Sequence, residues 1–192
     1  MHGRGADADD LEPLVGLLDP TRRLLGVLPR GPLTLPPGGR HWYIVRQVGF
    51  PDQGTFLPTF EGLADHLEAV LSEHDIGWEH AALGGFSQGA VMAYALGLAA
   101  GRPRPAAILA FSGFLPSVEG FDLALGNRAK LPVSISHGTH DPVIGVGFGR
   151  DASERLSAAG LVVTYREDPV GHTISPGALA QAHSVLEGAL PA

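Results

Sequence analysis

The sequence predicts an α/β fold, a mostly parallel β-sheet with helices on both faces. Three observations carry this. Short apolar runs alternate with longer stretches of helical periodicity. The apolar runs are continuous rather than alternating, as strands covered on both faces require. The glycine-bracketed segment Gly85-Phe86-Ser87-Gln88-Gly89 stands where one such run gives way to a helix.

Residues 24–28 (LLGVL), 81–84 (AALG), 106–111 (AAILAF), 133–136 (VSIS) and 161–165 (LVVTY) read as the strands. Helical patterns fill the intervals at residues 7–18, 60–73, 88–100, 150–159 and 178–190. The first opens with acids, which suit a helix amino end. The second sets Leu63, Leu67, Val70 and Leu71 on one face. The Pro/Gly-rich residues 29–40 form a loop, and no repeat or long linker divides the chain, so residues 1–192 are expected to make one domain.

The composition narrows the function. The chain carries 13 basic and 20 acidic residues, a formal charge of −7, with no basic stripe of the kind nucleic-acid binding requires. There is no cysteine, hence no disulfide framework and no thiolate metal site. No apolar run reaches the roughly 20 residues of a membrane span. The first residues, Met-His-Gly-Arg-Gly-Ala-Asp, contain no apolar signal core. These features predict a cytoplasmic protein acting on a small molecule.

In parallel sheets of this kind the chemistry lies just past the carboxyl ends of the strands. Gly85-Phe86-Ser87-Gln88-Gly89 is a G-x-S-x-G match at such a point. A serine on a sharp strand-to-helix turn needs glycine two residues to either side. The helix that follows turns its positive end toward charge developing at the serine. A nucleophilic serine needs a base, and the base needs an orienting acid. After residues 133–136 comes His137-Gly138-Thr139-His140-Asp141-Pro142, and after 161–165 comes Asp168-Pro169-Val170-Gly171-His172. Asp141 and His172 therefore follow Ser87 in the order acid then histidine, with Asp168 as the alternative acid. Each residue alone has an ordinary explanation: a glycine-rich turn, an Asp-Pro turn, a solvated loop histidine. Three of them in order at strand ends predict a triad.

Together these segments resemble the phospholipase/carboxylesterase family of small α/β-hydrolases, which includes acyl-protein thioesterases and bacterial carboxylesterases. The resemblance spans nearly the whole chain. His2-Gly3-Arg4-Gly5 looks like the family's H-G-x-G loop, and Gly85-Phe86-Ser87-Gln88-Gly89-Ala90 like its nucleophile elbow. Phe111-Ser112-Gly113-Phe114-Leu115-Pro116, the Asp141 loop and Gly171-His172-Thr173-Ile174-Ser175-Pro176 match in turn. The resemblance implies the triad Ser87, Asp141 and His172. It implies an oxyanion hole from the backbone N–H groups of Gln88 and Arg4, and no metal or organic cofactor. It implies an ester substrate with an apolar part, lysophospholipids and acyl thioesters included. Apolar residues near the strand ends, Phe56, Leu57, Phe114, Leu115, Val143 and Ile144, are candidates to line the acyl site.

Two other readings stay open at this level. His137, His140 and Asp141 form an H-x-x-H-D cluster that suits a metal-dependent hydrolase. A protein that keeps the fold without activity would be a binding module. One departure from the family is plain. Relatives have two or three strands before the H-G-x-G loop, so the chain reads as lacking the N-terminal strands, as a shortened family member would. The expectation is that residues 24–28 pair directly with 81–84, or that a second copy fills the gap in a homodimer.

Overall fold

A computed structural model describes residues 1–190. The chain opens with a capped helical run. The Asp7 carboxylate accepts the Ala8 amide at 2.6 Å, and the Asp10 carboxylate accepts the Asp7 amide at 2.7 Å. One 3-10 turn, Ala8–Leu11, then leads into α1 (Glu12–Leu18). Two small antiparallel hairpins follow, β1 (Leu33–Thr34) with β2 (Arg40–His41), and β3 (Val45–Gln47) with β4 (Phe50–Pro51). The first breaks into residues 29–40, whose prolines and glycines read as loop alone, and the second lies beyond them.

Helix α2 (Gln53–Glu73) begins well before residue 60, where its periodicity is first legible. The Asp52 carboxylate caps it by accepting the Thr55 amide at 3.2 Å. Pro58 lies in its second turn and gives up only a single backbone donor there.

The main sheet holds β5 (Ala82–Phe86), β6 (Ala107–Phe111), β7 (Pro132–Gly138) and β8 (Val162–Asp168), in that spatial order and all parallel. Helices α3 (Gln88–Leu98), α4 (Gly147–Ala158) and α5 (Pro176–Ala189) connect or follow the strands. Alternate residues of β6 serve opposite layers. Ile108 and Ala110 join the core built on α3, α2 and α4, while Leu109 and Phe111 join the one built on α5. Every residue of β6 is buried, which explains its unbroken apolar run. Helix α3 is buried along its whole length, so it has no polar face.

Residues 24–28 depart from expectation. They form no strand and do not pair with β5. The Leu24 amide is taken by the Asp19 carboxylate at 2.8 Å, and Leu24 packs into the layer beneath α5. A Cβ on Gly26 would strike the Val15 side chain at 2.7 Å, so the segment lies against α1. Between it and β5 runs an apolar groove of about 380 Å³, lined by Leu14, Val15, Leu28, Leu67, Leu83 and Ile174 among others. Among the described residues, only the carboxyl end of the outer β5 edge is paired. There the Met1 nitrogen donates to the Gly84 carbonyl at 2.8 Å, and the Phe86 amide donates to the Met1 carbonyl at 3.2 Å. The main sheet thus starts at β5, and direct closure by residues 24–28 is corrected to a groove.

Ile108 is wholly buried in the central strand against Gly97 of α3. Truncating it to alanine is expected to cost about 2–5 kcal/mol of stability, because the packed helix cannot collapse into the space. Urea denaturation of Ile108→Ala, with an unchanged m-value, measures this.

Candidate active site

Strand β5 ends at Phe86 and α3 begins at Gln88, so the whole reversal rests on Ser87. Its backbone has φ 56° and ψ −119°, a conformation rarely adopted by a residue with a side chain. The surroundings enforce it. A Cβ on Gly85 would lie 2.2 Å from the Gly89 carbonyl, and a Cβ on Gly89 would lie 2.1 Å from the Met1 carbonyl oxygen. Strand, helix and the Met1–His2 backbone therefore meet at distances that only glycine permits. The Ser87 amide donates to the Phe111 carbonyl at 2.9 Å, and the Ser87 carbonyl accepts the Ala90 and Val91 amides. The backbone of Ser87 is thereby fixed.

The Ser87 Oγ stands 2.9 Å from His172 Nε2, and His172 Nδ1 stands 2.6 Å from Asp141 Oδ2. The carboxylate can only accept, so Nδ1 carries the proton and Nε2 is left to accept from the serine hydroxyl. The Phe86 ring packs against the imidazole with centroids 4.7 Å apart. Asp141 is held from its other side: Oδ1 accepts the Val143 and Ile144 amides, each at 2.8 Å. Burial pushes this carboxyl up. The His172 ring and the two amides outweigh that and hold it below the ordinary aspartate value. Asp168, the alternative acid, is engaged elsewhere. Its carboxylate takes Arg166 at 2.7 Å and the Ser175 hydroxyl at 2.5 Å, at the foot of α5.

The His2-Gly3-Arg4 loop backs onto Ser87. A Cβ on Gly3 would sit 3.5 Å from Ser87 Cβ. His2 is wholly buried; its Nδ1 donates to the Gly3 carbonyl at 2.8 Å and its Nε2 accepts the Gly31 amide at 2.9 Å. The Trp42 indole donates to the His2 carbonyl at 2.8 Å. The Gln88 side chain then ties this loop to the elbow. Its Oε1 accepts the Trp42 amide at 3.0 Å and its Nε2 donates to the Tyr43 carbonyl at 2.9 Å. Among the described residues, the backbone N–H groups of Arg4 and Gln88 have no protein acceptor.

The candidate acyl-site residues separate. Phe56 is fully buried between Tyr43 and Phe121, and Ile144 is 4 % exposed, so both sit in the core. Phe114 faces Phe148 at 5.4 Å between ring centroids. Leu57 is partly buried and Leu115 is 6 % exposed. Val143 stands out into solvent at 53 %.

The H-x-x-H-D cluster does not converge. His137 is buried and turns Nε2 to the Ile144 carbonyl at 2.7 Å, while His140 is exposed. No three His, Asp or Glu side chains among the described residues are grouped so as to hold a metal ion. The contacts made by the side chains of His137, Gln88 and Trp42 were not legible in the sequence. A histidine ending an apolar strand four residues before the acid was the available signal for the first.

The four-stranded parallel sheet with helices around it is an α/β-hydrolase-like fold. The phospholipase/carboxylesterase family matches residues 1–189, and the chain belongs to that family. It is therefore a carboxylic ester hydrolase. It is 30% identical over 157 residues to acyl-protein thioesterase 1 of Debaryomyces hansenii, covering 78% of this chain and 67% of that protein. With acyl-protein thioesterase 1 of Candida albicans it shares 28% identity over 178 residues, 84% of this chain and 77% of the other. The fold is similar to that of the Bacillus cereus carboxylesterase, with a TM-score of 0.82 at 23% identity over 98% of this chain and 86% of that one. The Mesorhizobium loti carboxylesterase gives 0.83 at 24% identity, with the same coverage of both chains. No helix among the described residues is long and apolar enough to cross a membrane.

Burial pushes both His2 and His137 below the ordinary histidine value of about 6.5. Below that value the unfolded chain takes up protons that the folded chain refuses, so stability falls as the pH drops through 6 toward 5. Thermal midpoints measured from pH 7.5 to 5 are expected to decline, and to decline less in His137→Gln, which cannot titrate.

Proposed function

We propose that this chain hydrolyses carboxylic esters with an apolar acyl part through an acyl-enzyme on Ser87, with His172 as general base and acid and Asp141 as its orienting carboxylate. The observation that carries this is the unbroken run of short contacts from Ser87 Oγ through the imidazole to Asp141. His172 Nε2 takes the hydroxyl proton as Oγ attacks the ester carbonyl. The carbonyl oxygen becomes an oxyanion, for which the amides of Gln88 and Arg4 are the donors. Collapse of the tetrahedral species breaks the ester bond, and His172 returns the proton to the leaving alkoxide or thiolate. Water then enters by the same route, releasing the acid and restoring the serine.

The relatives named acyl-protein thioesterase bring acyl thioesters into the substrate class alongside oxygen esters. Of the apolar candidates, Val143 stands exposed in the Asp141 loop, where an acyl chain attached at Ser87 has apolar surface to follow, while Phe114 and Leu115 are packed into the core behind it. The Asp168 carboxylate, bound to Arg166 and Ser175, supports Asp141 as the acid.

Ser87→Ala is expected to lose p-nitrophenyl ester turnover and all labelling by a fluorophosphonate probe, with the fold intact by circular dichroism. Labelling of the wild type is the test that separates this reading from a non-catalytic binding protein, because only an activated serine reacts.

Asp141→Asn is expected to lower kcat by about 10⁴, the scale seen when a triad aspartate is neutralised and the imidazole tautomer lost. Asp168→Asn is expected to leave kcat within a few-fold. The reverse ranking in steady-state assays moves the acid to Asp168.

Gly89→Ala is expected to fold and to turn over up to about 100-fold more slowly. Its methyl group displaces the Met1–His2 backbone, and an ångström of misplacement in an active-site group carries that scale of loss. Esterase assays normalised to titrated active sites check it.

A further inference from the structure

The side chain of His137 does nothing in the chemistry above, yet it is fully buried within reach of the proposed acid. Its Nε2 lies 2.7 Å from the Ile144 carbonyl and 3.5 Å from Asp141 Oδ2. A carbonyl only accepts, so Nε2 carries the proton. The other ring nitrogen, Nδ1, is buried without a hydrogen-bond partner among the described residues. Nδ1 points at Gly149 of α4, where a Cβ would come within 2.7 Å of it. Nothing there could share a second proton, so the ring is a neutral imidazole of one fixed tautomer. A buried polar atom left unpaired is uncommon enough to need a reason.

The reason is visible in the loop that His137 closes. Asp141 Oδ1 holds the Val143 and Ile144 amides, and the carbonyl of the same Ile144 is held by His137. The turn from Asp141 to Ile144 is pinned at both ends of one residue. Without the His137 bond, the Ile144–Gly145 peptide is released, and backbone rotation at Ile144 can carry the preceding amide off the carboxylate. We infer that His137 is a positioning residue that locks the Asp141 carboxylate in the plane from which Oδ2 meets His172. This rests on the reading of Asp141 as the orienting acid.

The test compares His137→Leu, His137→Gln and Gly149→Ala, each also combined with Asp141→Asn, using ester turnover normalised to active sites titrated with a fluorophosphonate. Leucine fills the space without a donor; glutamine puts an N–H where Nε2 was. The expected result is a kcat loss of tenfold or more in His137→Leu at a KM within twofold of wild type. Recovery to within about threefold is expected in His137→Gln. In the Asp141→Asn background, His137→Leu is expected to change kcat less than twofold, because a residue acting through the acid has nothing left to position.

Gly149→Ala keeps every donor and favours the helix, so it remains informative should the leucine variant fail to fold. Its methyl group displaces the ring, and the expected result is a kcat loss that likewise vanishes with Asp141→Asn. Wild-type turnover in a folded His137→Leu or in Gly149→Ala overturns the inference. So does an equal loss in both backgrounds, which marks a purely structural role. Wild-type turnover in Asp141→Asn alone is a separate result and overturns the acid assignment beneath it.

Discussion

Three pieces of backbone meet at the elbow: the end of β5, the start of α3 and the Met1–His2 segment. Gly85 and Gly89 let them approach to distances no side chain would allow. That approach sets the positive φ of Ser87, raises its hydroxyl off the sheet and lays the His2-Gly3-Arg4 loop beside it. Everything else in the site refers to this point. The strained serine is tolerable because its amide and carbonyl are both bonded, to Phe111 and to the first turn of α3. The cost sits in one residue, and the packing of a wholly buried helix holds it there.

The other two residues of the proposed triad arrive from successive strands of the same parallel sheet. β7 and β8 pair from Pro132 with Val162 to Gly138 with Asp168. Their carboxyl ends are therefore level, and the loops that leave them carry Asp141 and His172 to one side of Ser87. The Thr139 amide donates to Asp168 at 2.8 Å and the His140 amide to Val170 at 3.0 Å, which stitches the two loops together. A hydrogen bond of 2.6 Å between the acid and the imidazole follows from loops that have little freedom of their own.

Much of this was legible because each signal had a local cause. The strands at β5 to β8 are continuous apolar runs, since both faces of the sheet are covered. Ser87, Asp141 and His172 stand after strands because parallel topology leaves no other common edge. What was not legible depended on distant partners. Residues 24–28 carry a strand's composition, but Asp19 takes the Leu24 amide and α1 takes the packing, so the run is apolar without being a strand. The first turns of α2 hide behind Gly54 and Pro58, which are breakers in isolation and tolerated near an end capped by Asp52. The two hairpins are too short to show a period. A metal-ligand reading of His137 stayed open because sequence spacing cannot reveal that its nitrogen faces a carbonyl seven residues on.

The Gln88 clamp has a consequence for which sequences can occupy the neighbouring positions. Its amide reads two main-chain atoms, the N–H of residue 42 and the C=O of residue 43. Proline is barred at 42, which must supply a donor, whereas at 43 the clamp accepts any residue that fills the space beside Phe56. Tyrosine 43 is thus free to drift among large apolar residues while glutamine 88 is not. Substitutions at 88 to glutamate or methionine lose one or both bonds at a single step. Homologous chains built on this scaffold should accordingly hold the amide at 88 and vary the ring at 43.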